Sequence, residues 1–426
     1  MTIPAETDTP AAHFHAPLSG SESSVIQFHN IPEISIHCFV DTQGMKVALE
    51  TMASDRRMLR AHAEVHDGGL EAAIARYRSD PSPNLLIVET QAENAVIRER
   101  LNVLAHACNA GTKLLLIGHV NDVGLYRDLL ATGVSEYLVA PVTPLAVIAC
   151  VSRLYGGASS EPLGRTIAFV GAKGGVGSST IAHNVASALG RLYGRGVLLA
   201  DLDHPFGSAR LCFGLDENPA VGLALQEVER LDYVLLERVL AKCERHLSVL
   251  TAPTRLDEPC EPAADAFAHM LSVAQRNMPF VVLDLPHVWT SWSRRTLLAA
   301  DEVVVCAQPD LVGLQNAKNI FCQLIRLRPN DAPPRLILNQ VGMPRRSEIN
   351  SSKFGEALGT APAACIPFDP AIFSTASNTG KMIADIGPRS AAAKTIQTLA
   401  GMLSGHGGPT VGRRRSLLFG RWLGRR

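Results

Sequence analysis

The 426-residue sequence has no paired cysteines, no net charge and no long apolar run. Its nine cysteines (Cys38, Cys108, Cys150, Cys212, Cys243, Cys260, Cys306, Cys322 and Cys365) stand singly, without a CxxC. Scattered, odd in number and mostly set in apolar stretches, they exclude a disulfide framework. They read as reduced core residues of a cytosolic protein. Lys and Arg together number 40 and so do Asp and Glu, which leaves no global pull toward nucleic acid or anionic lipid. Any such affinity must be local. No stretch approaches the ~18 apolar residues of a membrane-crossing helix. The N-terminus lacks the basic region and apolar segment of a signal peptide, so the chain reads as cytoplasmic. With 46% apolar residues, it has room for two or three domains, each with its own core.

What is present centres on Ile167 to Thr180, IAFVGAKGGVGSST. An apolar run ends in glycines and passes into the helix-forming segment Ile181 to Leu189. Small residues let successive backbone N–H groups turn inward, and a helix N-terminus adds partial positive charge, which together make a phosphate cradle. Gly174, Gly175, Val176, Gly177, Ser178, Ser179 and Thr180 are the candidate nucleotide contacts. Ser179 and Thr180 supply hydroxyls where a phosphate-bound Mg²⁺ needs one. Downstream, the buried run Val197 to Ala200 ends in Asp201-Leu202-Asp203, and Phe280 to Leu283 leads into Asp284-Leu285-Pro286-His287. Acidic residues closing apolar strands after such a loop point to Mg²⁺ and water chemistry.

The loop resembles the deviant Walker A motif of the MinD/ParA superfamily, usually KGGxGK[ST]. The resemblance makes Lys173 the signature lysine, which in a face-to-face dimer reaches the phosphates of the other chain. It makes Ser179, Asp201 (through water) and Asp284 the residues that hold Mg²⁺, and Asp203 the residue that orients the attacking water. It gives Asn339 the purine edge and sets Pro367, in Ile366-Pro367-Phe368-Asp369-Pro370, in a loop flanking the adenine. The second lysine of the motif is replaced by Ser178, and Ala172 stands where a glycine is usual. Serine does not supply the missing charge. ATP binding with Mg²⁺ is therefore expected to survive on backbone amides and Lys173, and hydrolysis to be slow or absent. His287 is read as a turn residue.

Between Ile34 and Tyr155 five apolar runs alternate with helix-like segments, the first helix predicted over Met45–Leu59. Five βα units of this length predict a doubly wound parallel sheet. Their order, and Gly133 to Pro141, resemble a two-component receiver domain with its chemistry dismantled. Glu89 closes the third strand where the phosphoacceptor aspartate belongs, Ala140 replaces the lysine before the proline, and only Asp41 remains of the acidic pair. The region reads as a pseudo-receiver for interaction or dimerisation.

The combination of a receiver-like region, GAKGGVGSST, Asp-Leu-Asp…Phe-Gly, Val-Leu-Asp-Leu-Pro-His and Ile-Pro-Phe-Asp resembles the CpaE/TadZ family. The expected fold class is α/β: a receiver-like (flavodoxin-like) parallel sheet followed by a MinD/ParA-type P-loop α/β domain. The expected division is a disordered leader 1–32, a pseudo-receiver 33–156, a linker 157–165, a nucleotide-binding domain 166–405 and a basic amphipathic tail 406–426. The resemblance implies an ATP-binding homodimer that places the Tad (Flp) pilus machinery, often at a pole, with the pilus secretion ATPase and inner-membrane Tad proteins as partners. Residues 413–426 carry six arginines and no acidic residue, with Leu418, Phe419, Trp422 and Leu423 on one helical face. That composition suits an anionic membrane surface. Two other readings are a ParA-type partition ATPase with an arginine patch (Arg326, Arg328, Arg335, Arg345, Arg346) on nonspecific DNA, and a pseudo-response-regulator scaffold.

Overall fold

A computed structural model describes residues 31–92, 94–156, 163–203, 206–216, 232–251 and 264–405. The leader 1–30, linker residues 157–162 and the basic tail 406–426 lie outside the described residues, and with them the helix expected over 413–426.

The chain builds two mainly parallel sheets. The first has strands β1 (Ser35–Val40), β2 (His62–Asp67), β3 (Leu85–Glu89), β4 (Lys113–Gly118) and β5 (Glu136–Val139), in the order β2-β1-β3-β4-β5. This all-parallel order is that of flavodoxin-like folds. It follows from short apolar strands such as Leu85–Glu89, buried along its whole length, because parallel sheets need helices on both faces. Ile36, Cys38, Ile87 and Ile117 face one helical layer, and Phe39, Leu86, Val88 and Leu116 the other. The helix expected over Met45–Leu59 is shorter. It runs Gln43–Ala53, and a separate 3₁₀ turn, Arg56–Met58, follows because Asp55 caps it by accepting from the Arg57 N–H.

The second sheet holds β6 (Arg165–Gly171), β7 (Val197–Asp201), β8 (Ala241–Glu244), β9 (Leu247–Leu250), β10 (Phe280–Leu285), β11 (Glu302–Ala307), β12 (Arg335–Val341) and β13 (Ala364–Pro367). Their order is β13-β12-β11-β6-β10-β7-β9-β8, parallel except for the β8–β9 pair at the edge. That antiparallel edge pair has no counterpart in the sequence reading. Ala168 and Val170 point into one core and Ile167 and Phe169 into the other, as the two-residue period of a strand requires. Each of the larger side chains, Val170, Ile167 and Phe169, contributes about 1.5–3 kcal/mol when withdrawn from water.

The cysteines among the described residues are free, but not uniformly core residues. Cys38, Cys150 and Cys306 are buried, whereas Cys322 and Cys365 are exposed. Both sit in amphipathic or edge elements whose local sequence is apolar on one side only. Among the described residues, no helix is long and apolar enough to cross a membrane.

Candidate functional site

β6 lies at the centre of the second sheet, and the loop Ala172–Gly177 leaves its carboxyl end into the helix Ser178–Tyr193. Ligand crevices of open α/β sheets form at such carboxyl ends. The loop is braced from several elements. The Ala172 N–H donates to the Cys306 carbonyl at 2.8 Å, and the Asn316 amide donates to the Ala172 carbonyl at 3.0 Å. The His287 ring lies over Gly174, with its Cε1 3.4 Å from where a Cβ would stand.

Asn339, buried on β12, donates from Nδ2 to the Val176 carbonyl at 2.7 Å. It therefore stands at the loop, with its donor engaged on protein backbone. Pro367 ends β13, paired in register with Val341 one strand further out. Gly177 explains why this corner tolerates no side chain. Its φ is +85°, and a Cβ there would lie 2.5 Å from Asn339 Nδ2. Gly177→Ala combines left-handed strain of roughly 1–2 kcal/mol with displacement of Asn339. It should lower the melting temperature and weaken adenine nucleotide binding, read by calorimetry; an unchanged melting temperature would contradict this packing.

Sheet order brings the carboxylates together. β10 inserts between β6 and β7, so that Asp284 is in register with both Phe169 and Asp201. Adjacent strands lie ~4.8 Å apart, and two buried carboxyl groups thus face each other below the phosphate loop. Asp201 accepts from the Ala209 N–H at 2.9 Å and from the Asp203 N–H at 3.2 Å. Burial, reinforced by the Asp284 charge, pushes its pKa up to about 6. The Asp203 carboxyl is also raised, chiefly by burial, and accepts from the Phe206 N–H.

The sequence reading passed over His183. It stands one helical turn after Ser179, on the same face of the helix, and is 1% exposed. Its Nε2 lies 3.2 Å from Asp284 Oδ2. Burial alone would lower the imidazole pKa, but Asp284, the Cys212 thiol and Asp201 outweigh it and lift it to about 10. The ring is a resident cation at the base of the site.

The donor set suits Mg²⁺. Neither carboxylate oxygen of Asp284 and neither ring nitrogen of His183 has a hydrogen-bond partner among the described residues, although Nε2 and Oδ2 stand 3.2 Å apart. His183, Asp201 and Asp284 each offer a ligand atom within 4.8 Å of one another. Carboxylate and hydroxyl oxygens are the ligands Mg²⁺ takes, whereas the charged imidazole is a counter-ion. Ser178, where a lysine would stand, is 8% exposed. At the mouth, Lys173 Nζ is 2.6 Å from Asp310 Oδ2. Burial would raise the Asp310 carboxyl, but Lys173 and the Gly313 N–H hold it below its ordinary range.

In the first sheet, Glu89 is fully buried. It accepts from the Asp41 and Thr42 N–H groups at 2.8 and 2.9 Å and from the Thr42 hydroxyl at 2.7 Å, with His119 Nε2 at 3.1 Å. Its carboxylate fills the place at the strand ends where a receiver would hold its phosphoryl group and metal.

Comparison with known proteins agrees with this layout. A family model described as an AAA domain matches residues 164–332. The septum site-determining protein MinD of Bacillus subtilis (strain 168) is 25% identical over 191 residues, which is 42% of this chain and 66% of that protein's own length. The crystal structure of a pilus assembly protein CpaE from Caulobacter crescentus is 45% identical, covering 30% of this chain, in its N-terminal part, and 97% of that chain, with a TM-score of 0.29. MinD from Pyrococcus horikoshii, solved with Mg-ADP, is 21% identical over 57% of this chain and 96% of its own, with a TM-score of 0.50, a likeness of fold alone. The sequence identity over nearly all of the crystallised CpaE chain, joined to a MinD-like second sheet with its phosphate loop, makes this protein a CpaE-like member of the MinD/ParA superfamily.

Proposed function

We propose that the chain is an ATP-binding switch that dimerises on Mg²⁺-ATP, hydrolyses it slowly or not at all, and localises and helps assemble a Tad (Flp) pilus machinery. The observation that carries this reading is the buried pair Asp201 and Asp284, brought into register beneath the phosphate loop, with both Asp284 oxygens lacking a hydrogen-bond partner among the described residues. Ser179 and Asp284, with Asp201 through water, would hold the metal, and Asp203 would orient water. Bound Mg²⁺ supplies charge neutralisation of the phosphates. The loop amides Gly174–Thr180 would cradle the phosphates, and Asn339 and Pro367 would flank the base.

Exposed apolar side chains follow the carboxyl ends of β7, β10 and β11: Phe206 at 75%, Trp289 at 45% and Leu311 at 72% exposure. Apolar side chains left in water at this end of the sheet, where Lys173 also stands, favour a second copy as occupant of that face. The pilus secretion ATPase and inner-membrane Tad proteins are the proposed partners. The setting is cytoplasmic, peripheral at the inner membrane and polar, with residues 413–426 as the proposed anionic-lipid contact. Calorimetric titration of the full chain with Mg²⁺-ATP tests the reading; no affinity would sink it.

Ser178 makes a separate prediction. Wild-type turnover should fall well below ~1 s⁻¹, the low end of ordinary enzymes. Ser178→Lys should raise it at least roughly tenfold by restoring charge to the transferred phosphoryl group. Wild-type turnover at ordinary rates would contradict the role assigned to position 178.

The nonspecific DNA reading loses ground here. Arg328, Arg335 and Arg346 pair with Asp331, Glu302 and Glu348 at 2.8 Å each, so three of the five arginines are engaged within the chain. The scaffold reading shares the filled Glu89 pocket but leaves the Asp201–Asp284 pair without a purpose.

A further inference from the structure

The two sheets meet at a compact cluster of charges far along the chain from one another. It is built around the 3₁₀ turn Arg56–Met58 of the receiver-like part. Arg56 donates from Nε to Asp331 at 3.0 Å, from Nη1 to the Ala299 carbonyl at 2.8 Å and from Nη2 to Asp301 at 3.1 Å. Arg57 donates to Asp331 and, from Nη1, to Asp55 at 2.9 Å, and Asn330 returns a hydrogen bond to Asp55 at 2.9 Å. The side chains of Arg56 and Arg57 are 13% exposed and that of Asp331 8%. Burial would raise the Asp331 carboxyl, but Arg56, Arg328 and Arg57 hold it down at about 2. Desolvated ion clusters with this many charge-assisted hydrogen bonds favour one arrangement over gradual deformation.

Three elements run from this cluster to the phosphate loop. Asp301 Oδ2 accepts from the Thr166 N–H and hydroxyl at 2.9 and 2.8 Å, while Asp301 Oδ1 accepts from Arg56. Thr166 opens β6, which ends at the loop. Asp301 directly precedes β11, whose Cys306 carbonyl receives the Ala172 N–H. Arg328, which also binds Asp331, caps the end of the helix Leu311–Leu327; that helix starts at Asp310, the partner of Lys173. On the receiver-like side, the turn follows the helix Gln43–Ala53, whose N-cap Thr42 is held by Glu89.

We propose that this charged clasp couples the receiver-like part to the nucleotide site, so that the part acts as a built-in regulatory arm acting on the phosphate loop through β6, β11 and the helix Leu311–Leu327. The inference rests on the nucleotide-binding reading above. Coupling between two sites is reciprocal, and a ligand that favours one arrangement of the loop favours the matching arrangement of the clasp. The shared carboxylate of Asp301 is the joint, because any shift of β6 alters the geometry it offers Arg56.

The test is the R56Q/R57Q double variant of the full chain. Both carboxylates on the nucleotide side keep a donor of their own: Asp331 keeps Arg328, and Asp301 keeps Thr166. Small-angle scattering should show the two parts separated, and Mg²⁺-ADP titration should give a dissociation constant changed by at least about fivefold. Lys46→Ala, which removes the exposed pair with Asp67, should leave both unchanged. Separated parts with affinity within about twofold of wild type would overturn the coupling alone. A wild type without nucleotide affinity overturns both this inference and the reading beneath it. Should the double variant fail to fold, Arg56→Lys serves. It keeps the charge but does not span Asp301, Asp331 and the Ala299 carbonyl together, and the same shift in affinity, reduced in size, is expected; no shift overturns the proposal.

Discussion

Lys173→Ala is expected to abolish ATP-dependent doubling of mass while single-chain nucleotide affinity changes only a few-fold. The Lys173 ammonium is held by Asp310 at 2.6 Å, and the two side chains are 29% and 26% exposed. An ion pair this open to water is worth roughly 0–1 kcal/mol. A triphosphate on a facing copy, carrying several negative charges, outbids it. Light scattering with Mg²⁺-ADP and with a non-hydrolysable ATP analogue reads the outcome. Wild type should double with the analogue only, and Lys173→Ala should stay single. Asp310→Asn retains the side-chain oxygen that accepts from the Gly313 N–H but releases Lys173, and should move dimerisation the other way, to lower analogue concentration. A Lys173→Ala chain that still doubles would remove this lysine from the bridge between copies.

His183→Ala should be the most destabilising single change at the site. It leaves the Asp284 carboxylate buried at 1% exposure with its cation gone. Removing one partner of a buried ion pair costs about 3–5 kcal/mol. Urea denaturation at pH 7 without nucleotide measures this, and a loss under roughly 1 kcal/mol would show that the imidazole is not the counter-ion. Adding Asp284→Asn to His183→Ala should recover most of the loss, since the orphaned charge is then absent.

The pH dependence has a definite sign. The imidazole pKa rises from its ordinary 6.5 to about 10 on folding. The folded state therefore binds the extra proton across that window, and the contribution is complete below 6.5 and lost as pH climbs through about 10. Asp201, raised from 3.8 to about 6, adds a slope of the same sign at lower pH. The higher window should vanish in His183→Ala and the lower one persist.

Much of this fold is legible in local pattern. The five apolar runs between Ile34 and Tyr155 become the five parallel strands of the first sheet, with helices between them. The helix Gln43–Ala53 does not reach Leu59, because a cap at Asp55 competes with helix continuation. The phosphate loop was legible for the same local reason: glycine is the residue that takes the positive φ of +75° at Gly175 and +85° at Gly177 without strain. His183 was not, since a histidine in a helix announces nothing until the strand it faces is known.

By itself, then, the sequence determined which segments are strands and helices, where a glycine-rich loop turns into a helix, and which carboxylates close apolar strands. These are properties of neighbouring residues, set by side-chain period, capping and backbone sterics. Tertiary structure alone decided that β10 slides between β6 and β7 and so sets Asp284 beside Asp201, that His183 stands against Asp284, and that Arg56 meets Asp331 across 275 residues of chain. Strand order and the contact between the two sheets arise from burying both faces of each sheet at once, a condition on the whole chain that no short window of residues contains.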